Sequence, residues 1–121
     1  MTRIVRSRDV AAPPASVWAI LADLDALAIW ATDIEHSCMI TDQRDGVGAT
    51  RRVQSGRLTL IECVTAWEPD RHLAYDITGL PPIVGRVSNG WTLASTAAGT
   101  RVSLAAAVDA GRRPDRAVIA R

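Results

Sequence analysis

The sequence has no lysine, no phenylalanine, one tyrosine and two cysteines in 121 residues. Several classes of function are excluded by such shortages. Cys38 and Cys63 stand far apart, with no CxxC or Cys/His spacing, so the ligand pattern of a zinc site or a dithiol redox centre is missing. Two buried thiols are expected instead. No stretch approaches the ~20 apolar residues of a membrane span. Met1 to Arg6 lacks the apolar core of a signal peptide, so a cytoplasmic protein is expected. An excess of one charge is also missing. Fourteen basic residues, all arginine, face thirteen acidic ones for a net charge of +1, which gives no electrostatic footprint for nucleic acid or an anionic membrane. The arginine and alanine bias reads as genome composition rather than as a site. No Gly-rich phosphate loop, nucleophile elbow or paired-histidine motif occurs, so neither cofactor nor metal is expected. His36 and His72 have no carboxylate or cysteine at a telling distance and read as satisfied or solvated.

What is present suits one domain over residues 1–121, since 48% hydrophobic residues are enough for a single core. Thr2 to Ala11 alternates like an edge strand. Pro13 is held extended by Pro14, which opens a helix to about Asp23. Val17, Ile20, Leu21 and Leu24 form its apolar stripe, to be packed on a sheet. Asp25 is placed to cap a second short helix, Ala26 to Trp30. Six strand-like segments follow, divided by turn chemistry: Ile34 to Thr41, Ala49 to Gln54, Leu58 to Trp67, Leu73 to Thr78, Val84 to Ala94 and Thr100 to Val108. Pro114 opens a last helix that stops at Arg121. The order β-α-α-β-β-β-β-β-β-α, with short links between the later strands, implies antiparallel neighbours.

Four segments in this order resemble a known family. They are Ala12-Pro13-Pro14-Ala15-Ser16-Val17-Trp18 with Asp23 and Trp30; Gly46-Val47-Gly48-Ala49-Thr50-Arg51-Arg52-Val53; Trp67-Glu68-Pro69-Asp70-Arg71-His72-Leu73-Ala74-Tyr75; and Gly99-Thr100-Arg101-Val102-Ser103. The chain resembles the START-like polyketide cyclase/dehydrase and lipid-transport superfamily, also called SRPBCC. The resemblance implies an α+β helix-grip fold: a curved antiparallel sheet of about seven strands, two short helices after the first strand, a C-terminal helix, and a ligand cavity between sheet and helices. Two departures stand out. The C-terminal helix is shortened, reaching only ~12 Å at ~1.5 Å per residue, and Leu104 stands where the family often has tryptophan. Either the sequence is truncated, or a homodimer or protein partner covers the apolar face.

With such a cavity, Leu73, Tyr75 and Ile77 share one face of their strand, and Val87, Asn89, Trp91 and Leu93 share one face of the next. These are candidate ligand-binding residues, with Leu80 and Pro81 of the Gly79-Leu80-Pro81-Pro82 segment as a mouth loop. Tyr75 and Asn89 supply sparse polar groups to orient a ligand; core packing of Tyr75 and Trp91 is the competing reading. Glu62 interrupts the series Leu58, Leu60, Val64, Ala66 and would act as a general acid or base if turned inward. The opposite parity, Ile61, Cys63 and Trp67, is as apolar, so a solvent-facing Glu62 is favoured narrowly. Three functions stay open. One is binding of a small hydrophobic molecule, lipid or polyketide-like. Another is a polyketide cyclase or dehydratase using Tyr75, Asn89 or Glu62 for proton transfer. The third is a protein-interaction module.

Overall fold

Nine residues from Thr2 to Val10 make the first strand, β1, in the computed structural model of the chain, which describes residues 2–81 and 84–109. Helix α1 (Pro14–Leu21), a 3-10 turn (Leu24–Ala26) and helix α2 (Leu27–Trp30) follow, then β2 (His36–Met39), β3 (Thr50–Ser55), β4 (Leu58–Glu68), β5 (His72–Thr78), β6 (Arg86–Thr96) and β7 (Gly99–Asp109). All pairings are antiparallel, and the spatial order is β1-β7-β6-β5-β4-β3-β2. Hairpins therefore build the sheet outward from β2, and β7 brings the chain back beside β1. The α+β helix-grip architecture expected from sequence is present in its seven strands and two short helices. The expected helix from Pro114 to Arg121 lies outside the described residues.

Local chemistry explains the element ends. Pro13 is extended (φ −68°, ψ 157°), and its carbonyl accepts from Ser16 N at 3.0 Å, starting α1 where Pro14 needs no N–H partner. Gly56, at φ +61°, supplies the first central position of the two-residue β3–β4 turn. Pro69 and Asp70 turn the chain between β4 and β5, with Arg71 N donating to Glu68 O at 2.9 Å and Asp70 at φ +65°.

The core lies between the helices and one face of the sheet. Trp18, Leu21 and Leu24 pack there with Val64, Leu73, Tyr75 and Leu93, each such side chain contributing about 1.5–3 kcal/mol of burial. The rings of Trp18 and Trp67 meet edge to face at 5.1 Å. This corrects the expected apolar stripe: Trp18 takes the central buried position, while Ile20 is 55% exposed.

Two further expectations change. Asp25 caps nothing; it sits inside the 3-10 turn, and its carboxylate binds Arg44. The start of α2 is tied to β2 by Ser37, whose hydroxyl accepts from Ala28 N at 2.9 Å and donates to Asp25 O at 2.7 Å. The thiols are not both buried, since Cys38 on β2, the strand at one end of the sheet order, is exposed and Cys63 is half-buried.

Candidate functional site

Directly opposed residues of an antiparallel ladder share a face. Leu73 lies opposite Trp91, Tyr75 opposite Asn89 and Ile77 opposite Val87, so the two sequence-derived sets do occupy one face. The register then carries that face onward: Trp91 opposes Leu104, and Leu104 opposes Arg6; Leu93 opposes Val102, and Val102 opposes Arg8. Helix α1 covers only part of it.

Between α1 and the β6–β7–β1 end of the sheet lies a cavity of about 630 Å³. Val17, Ile20 and Leu21 of α1, Trp30 of α2, and Trp91, Val102 and Leu104 of the sheet supply its apolar walls. Its polar side chains come from Ser16 of α1 and from Arg6 and Arg8 of β1; Ser7 borders it too, but its hydroxyl meets that of Ser103 on the other parity. Trp30 and Trp91 stand edge to face, with centroids 6.1 Å apart. Such pairs fix ring orientation, which makes this corner a shaped aromatic wall.

From Trp91 a chain of contacts runs into the core. Its indole Nε1–H donates to the Tyr75 hydroxyl at 3.3 Å. The Arg51 guanidinium lies over the Tyr75 ring, 4.9 Å from its centre. Arg51 Nε donates to Glu62 Oε1 at 2.7 Å, and its Nη1 donates to Leu24 O at 3.1 Å. Glu62 is thus inward and only 6% exposed, which overturns the solvent-facing expectation. A bulge at Thr65 is the physical reason: the register skips between Val64 and Ala66, so the inward parity runs Glu62, Val64 and then Trp67.

The chain matches the family model described as "Polyketide cyclase / dehydrase and lipid transport" over residues 1–121. The chain belongs to this polyketide cyclase/dehydrase and lipid-transport family. No curated protein matches. Among solved structures it is similar to the Zhui aromatase/cyclase from Streptomyces sp. R1128, with 24% identity, a TM-score of 0.74, and 93% of this chain and 72% of that one covered. A solution structure from Thermobifida fusca is similar at 21% identity and a TM-score of 0.78, covering 98% and 80%. Protein MLL2253 from Mesorhizobium loti is similar at 21% identity and 0.71, covering 97% and 82%. At these identities the likeness extends to the fold.

Within this polyketide cyclase/dehydrase and lipid-transport domain, the sequence-derived candidates do not gather in one place. Trp91 lines the large cavity. Leu73, Tyr75 and Leu93 are buried in the core beneath α1, with Ile77 packed against them. Ile77, Leu80 and Val87 line a separate cavity of about 300 Å³ beside Gly79 and Gly85. Asn89 is half-buried next to Tyr75, and Pro81 is exposed, its carbonyl accepting from Val84 N at 2.9 Å. Pro82 lies outside the described residues.

Among the cavity residues that sequence reasoning did not reach are Arg6, Arg8, Ser16, Trp30 and Val102 as lining groups. For Arg6, Arg8 and Val102 the signal is the β1–β7 pairing, a contact across about a hundred residues that no local pattern carries, whereas Ser16 and Trp30 stand on α1 and α2. Among the described residues no cluster of histidine, cysteine, aspartate or glutamate is arranged to hold a metal ion, and no helix is long and apolar enough to cross a membrane.

Proposed function

We propose that this domain binds a small hydrophobic molecule, lipid or polyketide-like, in the cavity between α1 and the β6–β7–β1 end of the sheet. The observation that carries the reading is the cavity itself: about 630 Å³, walled by Val17, Ile20, Leu21, Trp30, Trp91 and Leu104. Small-molecule sites are typically ~300–1,000 Å³, mostly apolar, with a few polar groups for orientation. Tyr75, Asn89 and Glu62 are not among its lining residues, and the Glu62 carboxylate is engaged by Arg51. Family membership supports a ligand-binding role without naming the ligand.

Native mass spectrometry of freshly purified protein, followed by extraction, tests the reading, with Leu104→Trp as the partner variant. A co-purifying apolar molecule, absent from the folded variant whose added indole fills the cavity, is expected. Equal retention by both proteins, or no uptake of any apolar compound by the parent, would sink it.

A second reading, a cyclase or dehydratase, has one specific support. The Tyr75 oxygen accepts from Trp91, while its own proton finds no acceptor among the described residues, leaving a phenol one residue behind the cavity wall for general acid work. Turnover of a polyketide-like substrate that Tyr75→Phe abolishes, with binding retained, would select this reading.

A further inference from the structure

Resting on the cavity reading, we infer that the ligand is an amphiphile whose apolar body carries an oxyanion, a carboxylate or a phosphate monoester, held by Arg6 and Arg8. These two arginines alternate with Ser7 along β1, so both project to the cavity side, opposite Leu104 and Val102. Their neighbour Asp9 has the other parity and pairs there with Arg101 at 3.0 Å. Among the described residues, the cavity lining therefore holds two cations and no acidic side chain. Glu62, the buried carboxylate on the same sheet face, is several strands away and neutralised by Arg51 at 2.7 Å.

The two guanidinium groups are also uncommitted. Arg6 makes one long contact, Nη1 to Val5 O at 3.5 Å, at the limit of a hydrogen bond. The Arg8 guanidinium has no hydrogen bond or ion pair among the described residues. Of the other described arginines, Arg44, Arg51, Arg71, Arg86 and Arg101 each face a carboxylate, and Arg3, Arg52 and Arg57, which do not, lie outside the cavity lining. An arginine's aliphatic stem covers apolar surface while its planar head offers paired donors that match a carboxylate or phosphate. A flat apolar body against Trp30 and Trp91, with its anionic end toward β1, satisfies both halves of the site.

Three matched naphthyl compounds, ending in a carboxylate, a phosphate monoester or a primary alcohol, test this by calorimetric titration at low and high salt. At least one acid is expected to bind about tenfold tighter than the alcohol, with the better acid identifying the oxyanion. That advantage should shrink with salt. In the Arg6→Gln/Arg8→Gln double variant the acid should fall to the alcohol's affinity while the alcohol is unchanged. In Arg6→Lys/Arg8→Lys part of the advantage should survive. Both arginines are exposed, and an unaltered circular dichroism spectrum confirms folding of each variant. Equal binding of acid and alcohol by the parent, or an acid preference that persists in the glutamine variant, overturns this inference and leaves the cavity reading standing. Failure of all three compounds to bind overturns both.

Discussion

Trp91 donates its indole N–H to the hydroxyl oxygen of Tyr75 at 3.3 Å, joining a wall of the cavity to a residue that is itself buried in the core. The same phenol ring carries the Arg51 guanidinium on its face. Tyr75→Phe removes the acceptor and leaves the cation–π contact. A loss of about 1 kcal/mol is expected, read as a lower urea midpoint at unchanged slope. An unchanged midpoint would mean that the bond contributes nothing in solution.

The Arg51–Glu62 pair is the most buried ion pair described, with side chains only 4% and 7% exposed. Taking charges out of water nearly cancels their attraction, but breaking such a pair strands one charge. Glu62→Gln is therefore expected to cost about 3 kcal/mol or more, and Arg51→Met a similar amount. The double variant Arg51→Met/Glu62→Leu should recover most of that loss, within about 1–2 kcal/mol of the parent. A double-mutant cycle with additive losses would rule out the coupling.

Where one contact range dominates, the fold could be read from sequence; where two distant segments meet, it could not. Turn chemistry at Gly56 and at Pro69-Asp70 is local, and the hairpins it marks are present. The shared face of Tyr75 and Asn89 follows from strand parity, and the pairing agrees. The inward side of Glu62 is not legible from straight parity, because the bulge at Thr65 reverses that parity within the strand. The apolar residues on both parities of β4 were the trace of that reversal: Val64 and Trp67 face the same core from opposite sides of one extra residue. Arg6 and Arg8 are not legible as site residues, because their placement depends on β7, whose return to β1 is set by topology.

Arg44 holds the Asp25 carboxyl below the usual aspartate range by hydrogen bonding and by charge, against the opposing effect of burial. With the folded pKa below the unfolded one, the pair stabilises fully above the unfolded value and loses its contribution as the pH falls through the folded one. The pair is partly exposed, so the amount is under about 1 kcal/mol. Asp25→Asn should lower stability slightly at pH 7 and be indistinguishable from the parent well below the ordinary aspartate value of ~4. A gap between the two that persists through acid titration would assign the effect to something other than charge.

Gly99 and Thr100 fasten the corner where β1 gives way to α1, and with it one end of the cavity. Gly99 has φ +152°, and a Cβ there would stand 2.2 Å from Val10 O and 2.8 Å from Ala12 N. These are backbone atoms of a bend, with no flexible side chain to yield. Thr100 is fully buried, and its hydroxyl donates to Ala12 O at 2.7 Å. Val10 and Ala12 both line the cavity, so displacing the bend changes the site as well as the fold. Gly99→Ala is expected to cost on the order of 2 kcal/mol or more. Thr100→Val, which keeps the shape but leaves the Ala12 carbonyl unpaired, should cost about 1–3 kcal/mol. Loss of apolar-probe affinity should be larger in Gly99→Ala than in Thr100→Val, because only the first forces the bend away. Urea titrations and probe binding on both variants check this, and a Gly99→Ala protein with parental stability would show that the corner yields freely and fixes nothing.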